Sequence, residues 1–144
     1  IGDGELCRPE QLVKYKTLLK VPTPILKMKL MAYSQSKFPK IKSFEDLKKY
    51  KVAFVASAYG NLLIERGLTK YIEGHDIPQL FKLVKHKRVD LGIIFDVEGD
   101  PYHKEFKYKY DLTHLFGEFK LFHYLHMKNK DILPFISNEI KNLK

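Results

Sequence analysis

KSFEDLKKYKVAFVASAYGNLLIERG, residues 42–67, is the stretch on which the fold turns. Ser43 followed three residues later by Asp46 is a capping box in its acidic form, so a helix starts at Ser43. Val52 to Ala56 is a short apolar run with β-branched and aromatic residues, flanked by helical segments. That context predicts a buried parallel strand. A loop of small residues follows, and the next helix runs from Tyr59 to Arg66 and ends at Gly67. Ser57, Ala58, Tyr59, Gly60 and Asn61 therefore lie at the carboxyl end of a strand and the amino end of a helix. Backbone N–H groups at such a place suit a carboxylate or phosphate. An ordinary connection with Ser57 as the helix cap explains the same residues equally well.

The pattern continues downstream. Residues 69–73 (TKYIE) predict a second strand, and Asp76 with Gln79 is another capping box. The helix it opens carries Leu80, Phe81, Leu83 and Val84 on one face. Val89 to Phe95 predicts a third strand, so the middle of the chain is β-α-β-α-β, a parallel α/β layout. Residues 97–107 predict a short helix broken near Pro101. Glu118 to Met127 predicts a strand. Asp131 to Lys144 predicts a helix, with Ile132, Phe135, Ile136, Ile140 and Leu143 at helical spacing.

Upstream, Gly2 to Arg8 (GDGELCR) predicts a loop leading into a short helix with Pro9 in its first turn and Leu12 and Tyr15 facing inward. Val21 to Pro24 is extended, because a residue before proline is pushed out of the helical region. Ile25 to Ser34 predicts one half-buried strand, with Lys27 and Lys29 on one face and Leu26, Met28 and Leu30 on or near the other. No repeat, linker or low-complexity tract interrupts the chain.

Composition narrows the classes. A chain of 144 residues with 44% hydrophobic and 30% charged residues is long enough for one ordinary domain with a core. The longest uncharged run, 52–64, is too short to cross a bilayer. The net charge of +9 rests on 26 basic residues. Only Arg8, Arg66 and Arg88 are arginine, the residue that nucleic-acid sites favour for bidentate contacts. The lysines are scattered, so a solvated basic surface is expected and no nucleic-acid partner. Cys7, the single cysteine, permits no internal disulfide and lacks a neighbouring His or Asn to activate it. The first residue is Ile1, so the chain is read as processed or cut from something longer.

Few side chains point to chemistry. His123 and His126 fall on opposite faces of a strand, so no metal site is expected. Asp96, Glu98, Asp100 and Glu105 lack the glycine and terminal glutamate of a calcium loop and read as a solvated acidic loop. Asp96 nevertheless stands at the carboxyl end of a parallel strand, where ligand groups gather. No GxGxxG, P-loop or GxSxG is present. Arg8 follows Asp3 and Glu5 and suits either a carboxylate clamp or a surface pair.

Four stretches resemble the type 2 periplasmic solute-binding proteins, in particular the amino-acid-binding kind that serve transporters. They are GDGELCR at 2–8 with LLKVPTPIL at 18–26, IKSFEDLKKYKVAFV at 41–55, PQLFKLVKHKRVDLGIIFD at 78–96, and FKLFHYLHMKNKDILPFISNEIKNL at 119–143. The resemblance implies two α/β lobes that close on a small solute. It implies a complete parallel-sheet second lobe over 35–115 and a partial first lobe from 1–34 and 116–144, with hinge strands and the C-terminal helix. Arg8 would clamp the ligand carboxylate, the loop at Ser57, Ala58, Tyr59 and Asn61 would bind the same group, and Asp96 would hold the amine. No cofactor, metal or covalent chemistry is implied. The implied location is periplasmic or extracellular, and the implied partner is a membrane permease or a sensor. A sensing domain of a membrane receptor is the second reading, and an enzyme on the same lobes the third. Three departures stand out: Ala58 or Tyr59 replaces the usual threonine, Lys87 replaces the glycine before RVD, and Asp96 lies one residue late relative to Asp90. The first β-α-β unit of the family also precedes Ile1, so a shortened relative would expose sheet edges that invite a homodimer.

Overall fold

The computed structural model describes residues 4–10 and 16–144. The expected inward-facing Leu12 and Tyr15 lie outside the described residues. In chain order the first elements are β1 (Gly4–Pro9), β2 (Leu18–Lys20), β3 (Leu26–Met28), β4 (Leu30–Ser34), α1 (Phe44–Leu47) and β5 (Val52–Val55). Then come α2 (Ala58–Glu65), β6 (Tyr71–Gly74), α3 (Ile77–Lys85), β7 (Leu91–Phe95) and α4 (Asp96–Gly99). A 3-10 turn over Asp100–Glu105 leads to β8 (Tyr108–Asp111) and α5 (Thr113–Phe116). The chain ends with β9 (Phe119–His126), a 3-10 stretch over Met127–Ile132 and α6 (Leu133–Asn142).

The chain divides into two compact units, Lys29–Gly117 and Ile1–Met28 with Glu118–Lys144. The larger unit is built on a five-stranded sheet in the order β6-β5-β7-β4-β8. β5 runs parallel to β6 and β7, while β4 is antiparallel to both β7 and β8. The sheet is thus parallel where the β-α-β-α-β pattern predicted and mixed at one side.

Local chemistry sets the helix starts. Ser43 Oγ accepts the Asp46 N–H at 3.2 Å, and Asp46 Oδ2 accepts the Lys42 N–H at 3.1 Å. Ser57 Oγ accepts the Gly60 N–H at 3.3 Å. Asp76 Oδ1 accepts the Gln79 N–H at 2.7 Å, and Gln79 Oε1 accepts the His75 N–H at 2.6 Å. Each cap satisfies amino-end N–H groups that have no partner within the helix. Gly67, at φ 95°, closes α2 in a conformation that a side chain would oppose.

The core of this unit follows from the period-2 pattern of the strands. Ala53 and Ile94 lie in one buried cluster with Tyr33 of β4 and with Leu80, Phe81 and Val84 of α3. A Cβ built on Gly92 would stand 2.7 Å from Val84 and 2.8 Å from Leu80, so glycine there lets α3 seat closely on β7. Burying aliphatic and aromatic side chains of this size contributes about 1.5–3 kcal/mol each.

The smaller unit is an antiparallel sheet centred on β9. β1 pairs along one edge of β9, while β2 and β3 divide the other, at Leu18↔His126 to Lys20↔Tyr124 and Leu26↔Leu121 to Met28↔Phe119. A buried contact joins the segment between β2 and β3 to α6, Thr23 Oγ1 to Ser137 Oγ at 2.9 Å.

Two expectations need correction. Residues 2–8 were expected as a loop before a helix, but from Gly4 onward they form β1, held by β9 more than a hundred residues away. Residues 25–34 are not one strand. The chain leaves the β9 sheet at Met28 and joins the larger sheet at Leu30, so the faces expected for a continuous strand do not hold, and Leu26 is 45% exposed. The strands at 18–20 and 108–111 had no counterpart in the sequence reading.

Candidate functional site

At the carboxyl ends of β5, β6 and β7 the larger unit contains a cavity of about 360 Å³. Its size falls in the range of small-molecule sites, and its place is where open α/β sheets collect ligands. Val55 closes β5 and Ile94 comes from β7. Ser57 caps α2, Asp76 with Ile77 and Pro78 opens α3, and Tyr59, Glu98 and Tyr102 complete the lining. The amino ends of two helices thus border the same space, and each carries partial positive charge.

Tyr59 has a structural task that the sequence reading did not assign. It is 4% exposed, and its hydroxyl donates to the Ile93 carbonyl at 3.3 Å while accepting the Val55 N–H at 3.4 Å. The β5–β7 pairing ends at Ala53↔Gly92, so this hydroxyl bridges the two strands just past their ladder. Burial pushes its pKa up to about 12, with the nearby charge of Glu98 adding in the same direction. Tyr59 is therefore a neutral wall of the cavity and a strand bridge. Ser57 is also engaged: its hydroxyl donates to the Val55 carbonyl at 2.9 Å while capping α2.

Asp96 stands at the start of α4, where its Oδ1 accepts the N–H of Lys29 at 3.1 Å and of Val97 at 2.9 Å. Its own N–H donates to the Lys29 carbonyl at 2.9 Å. The carboxylate expected to hold an amine is thereby tied to backbone at Lys29, where β4 is about to begin, and Asp96 does not line the cavity. Asn61 is exposed in the first turn of α2, its N–H bonded to the Ser57 carbonyl at 3.1 Å, and it does not line the cavity either. Ala58 contributes the first backbone position of α2. Arg8 is exposed on β1 opposite Phe122, in the smaller unit. Of the six expected ligand residues, the structure brings Ser57 and Tyr59 to one cavity.

The residues that sequence reasoning missed are Tyr102 and Glu98. Tyr102 stacks on Phe81 with ring centroids 4.6 Å apart. Glu98 was visible only as part of an acidic run. Partial burial at the cavity pushes its carboxyl above the usual range.

Neither the protein-family profiles nor the curated proteins yield a match to this sequence. Solved structures do. Holo ArgBP from T. maritima superposes with a TM-score of 0.70 at 14% identity, covering 96% of this chain and 61% of that one. The GluR0 ligand-binding core in complex with L-glutamate gives 0.72 at 14% identity, covering 96% and 63%. A histidine kinase sensor domain with similarity to periplasmic binding proteins gives 0.63 at 16% identity, covering 83% and 54%. The structural neighbours include type 2 periplasmic amino-acid-binding proteins, and this chain carries their α/β fold. It spans less than two thirds of the length of each of these structures.

Proposed function

We propose that this chain binds a small polar solute, an amino acid or organic acid, outside the cytoplasm and does no covalent chemistry on it. The observation that carries the reading is the cavity at the carboxyl ends of β5, β6 and β7, bordered by the amino ends of α2 and α3. The neighbouring structures support it, since ArgBP, the GluR0 core and the kinase sensor domain are all described by what they bind or sense. On this reading the larger unit is the second lobe of a binding protein and the smaller unit part of the first. The solute is handed to an ABC-type membrane permease, and the exposed Arg8 serves as a carboxylate clamp.

The sensor-domain neighbour favours a second reading, in which the same cavity reports its solute to a membrane receptor. Both readings require binding, so binding is tested first. Thermal shift of the chain against a panel of amino acids and organic acids is expected to raise the melting temperature for at least one compound. A panel with no stabilising compound overturns the proposal. Turnover of a stabilising compound, detected by mass spectrometry, would replace it with an enzyme.

A further inference from the structure

We propose that the outer edge of β8 is a docking site for an extended acidic segment of a partner protein, which joins the five-stranded sheet as a further strand. The proposal is independent of the solute cavity, with which this surface shares no lining residue.

β8 ends the strand order β6-β5-β7-β4-β8, so among the described residues it has β4 on one side and no strand on the other. The ladder fixes where its backbone groups point. The Leu112 N–H donates to the Leu30 carbonyl at 3.0 Å, and these two residues continue the β4–β8 register as opposite partners. In an antiparallel pair, hydrogen-bonded and non-bonded positions alternate. Tyr108 and Tyr110 therefore turn their backbone groups toward β4, while Lys109 and Asp111 turn their N–H and C=O groups outward. The other side of β4 agrees. The Asp96 N–H donates to the Lys29 carbonyl, so Met31 and Tyr33 face β7, and Leu30, Ala32 and Ser34 face β8. Among the described residues, no backbone group of another element covers Lys109 or Asp111 from outside.

This edge opens on a cavity of about 610 Å³ that Lys40 and Ile41 also line. That wall is held in place. The Tyr110 hydroxyl accepts the Phe38 N–H at 2.7 Å and donates to the Phe38 carbonyl at 3.3 Å, and His114 Nε2 lies 2.6 Å from the Ile41 carbonyl. Ile41 itself is buried. A slot with tethered walls beside outward backbone groups suits an extended chain, which is recognised through its main chain.

Charge selects the occupant. Lys40 and Lys109 line the cavity, both exposed and both without an ion-pair partner among the described residues. Lys37, Lys42 and Lys107, close by in the chain, are exposed as well. The acidic residue in the lining, Asp111, is already engaged: Lys29 Nζ lies 3.8 Å from its carboxylate, which accepts the Thr113 N–H at 2.7 Å. Lysine on an edge strand discourages pairing with a like-charged strand. A second copy of this chain, of net charge +9, would set Lys109 against the lysines of its partner's edge. An acidic strand meets no such barrier and gains opposite-charge pairs with Lys40 and Lys109. A nucleic acid or an anionic membrane would meet the same lysines, but neither offers alternating donors and acceptors to match the outward N–H and C=O groups.

The probe is a peptide of about eight alternating Glu and Thr residues, titrated into the full chain by isothermal titration calorimetry. It is expected to bind at least about tenfold more tightly than the same peptide with Lys in place of Glu. The same margin is expected over the Glu-Thr peptide N-methylated along its central residues, which keeps the charge but cannot extend the sheet. Amide hydrogen exchange at Lys109 and Asp111 should slow in the complex, while Tyr108 and Tyr110, already bonded to β4, change little. Lys109→Glu should weaken the peptide about tenfold. Lys109→Pro removes the outward N–H as well as the charge and leaves the β4 ladder intact, so it should weaken the peptide at least as much. Circular dichroism checks that each variant folds. If one does not, the peptide comparison and the exchange pattern of the parent chain decide. Absence of binding by the Glu-Thr peptide, or equal binding of its N-methylated form, overturns the proposal. So does equal or tighter binding of oligothymidylate or of phosphatidylserine vesicles, which would make this a surface for charge alone. Self-association in analytical ultracentrifugation, with Lys109 and Asp111 protected in the absence of peptide, would assign the edge to a second copy and overturn it too.

Discussion

The two units bury their cores to very different degrees. Among the described residues, the largest side chains fully withdrawn from water include Phe54, Leu63, Leu80, Leu91 and Ile93 in the larger unit, whereas Phe119 alone represents the smaller. Among the described residues, the smaller unit also holds two buried polar side-chain atoms without a hydrogen-bond partner, His123 Nδ1 and the Tyr124 hydroxyl. Its helix α6 leaves Phe135 66% exposed. The difference teaches where most of the burial energy is placed. The unit with a closed core of its own presents a cavity of about 360 Å³ at its strand ends, and the smaller unit has one of about 440 Å³ beside His123 and Tyr124. Walls whose rotamers are locked hold a cavity in shape, and a packed sheet with helices supplies them.

The largest expected effect probes that closed core. Leu80→Ala removes a fully buried side chain between α3 and β7, and should cost about 2–5 kcal/mol in a denaturant titration. A loss below about 1 kcal/mol would mean that the larger unit is less tightly closed than its burial indicates. Next comes the joint between core and cavity. Tyr59→Phe keeps the ring against Phe95, where the centroids are 5.1 Å apart, but removes the hydroxyl that bridges Val55 and Ile93. Two backbone groups lose this partner, so a cost of about 1–3 kcal/mol is expected. Amide exchange at Val55 should accelerate in the same variant. Unchanged exchange there would show that the strands hold together without the bridge.

What could be read from the sequence follows the same division. The larger unit announced itself because its signals are local: Ser43, Ser57 and Asp76 are caps, and Val52–Val55 and Leu91–Phe95 are apolar runs between helices. The smaller unit did not, because its pairings are distant. Gly4–Pro9 has no periodicity that betrays a strand, and only β9 makes it one. The break at Lys29 carries no glycine or proline, so the chain changes sheets without a local signal. At the site, Ser57 was legible from the strand-to-helix junction. The burial of Tyr59 and its bridging hydroxyl were not legible, because they depend on the gap between β5 and β7, which exists only once the sheet order is set. Glu98 and Tyr102 reach the cavity through α4 and the 3-10 turn after it, whose course no spacing rule specifies.

The smallest expected effect tests the other side of the comparison. Phe135 lies on α6, two residues before the Ser137 that meets Thr23, so the helix is anchored close by while the phenylalanine ring faces water. Phe135→Ser removes little buried area, and the two residues have similar helix propensity. The variant should therefore match the parent within about 0.5 kcal/mol. Measured beside Leu80→Ala under the same conditions, it sets the span between the two units. A cost above about 1 kcal/mol would show that this face of α6 is covered in solution, because a side chain already in water has no such burial to lose. The contrast between the units would then come from an absent cover and not from the sequence of the smaller one.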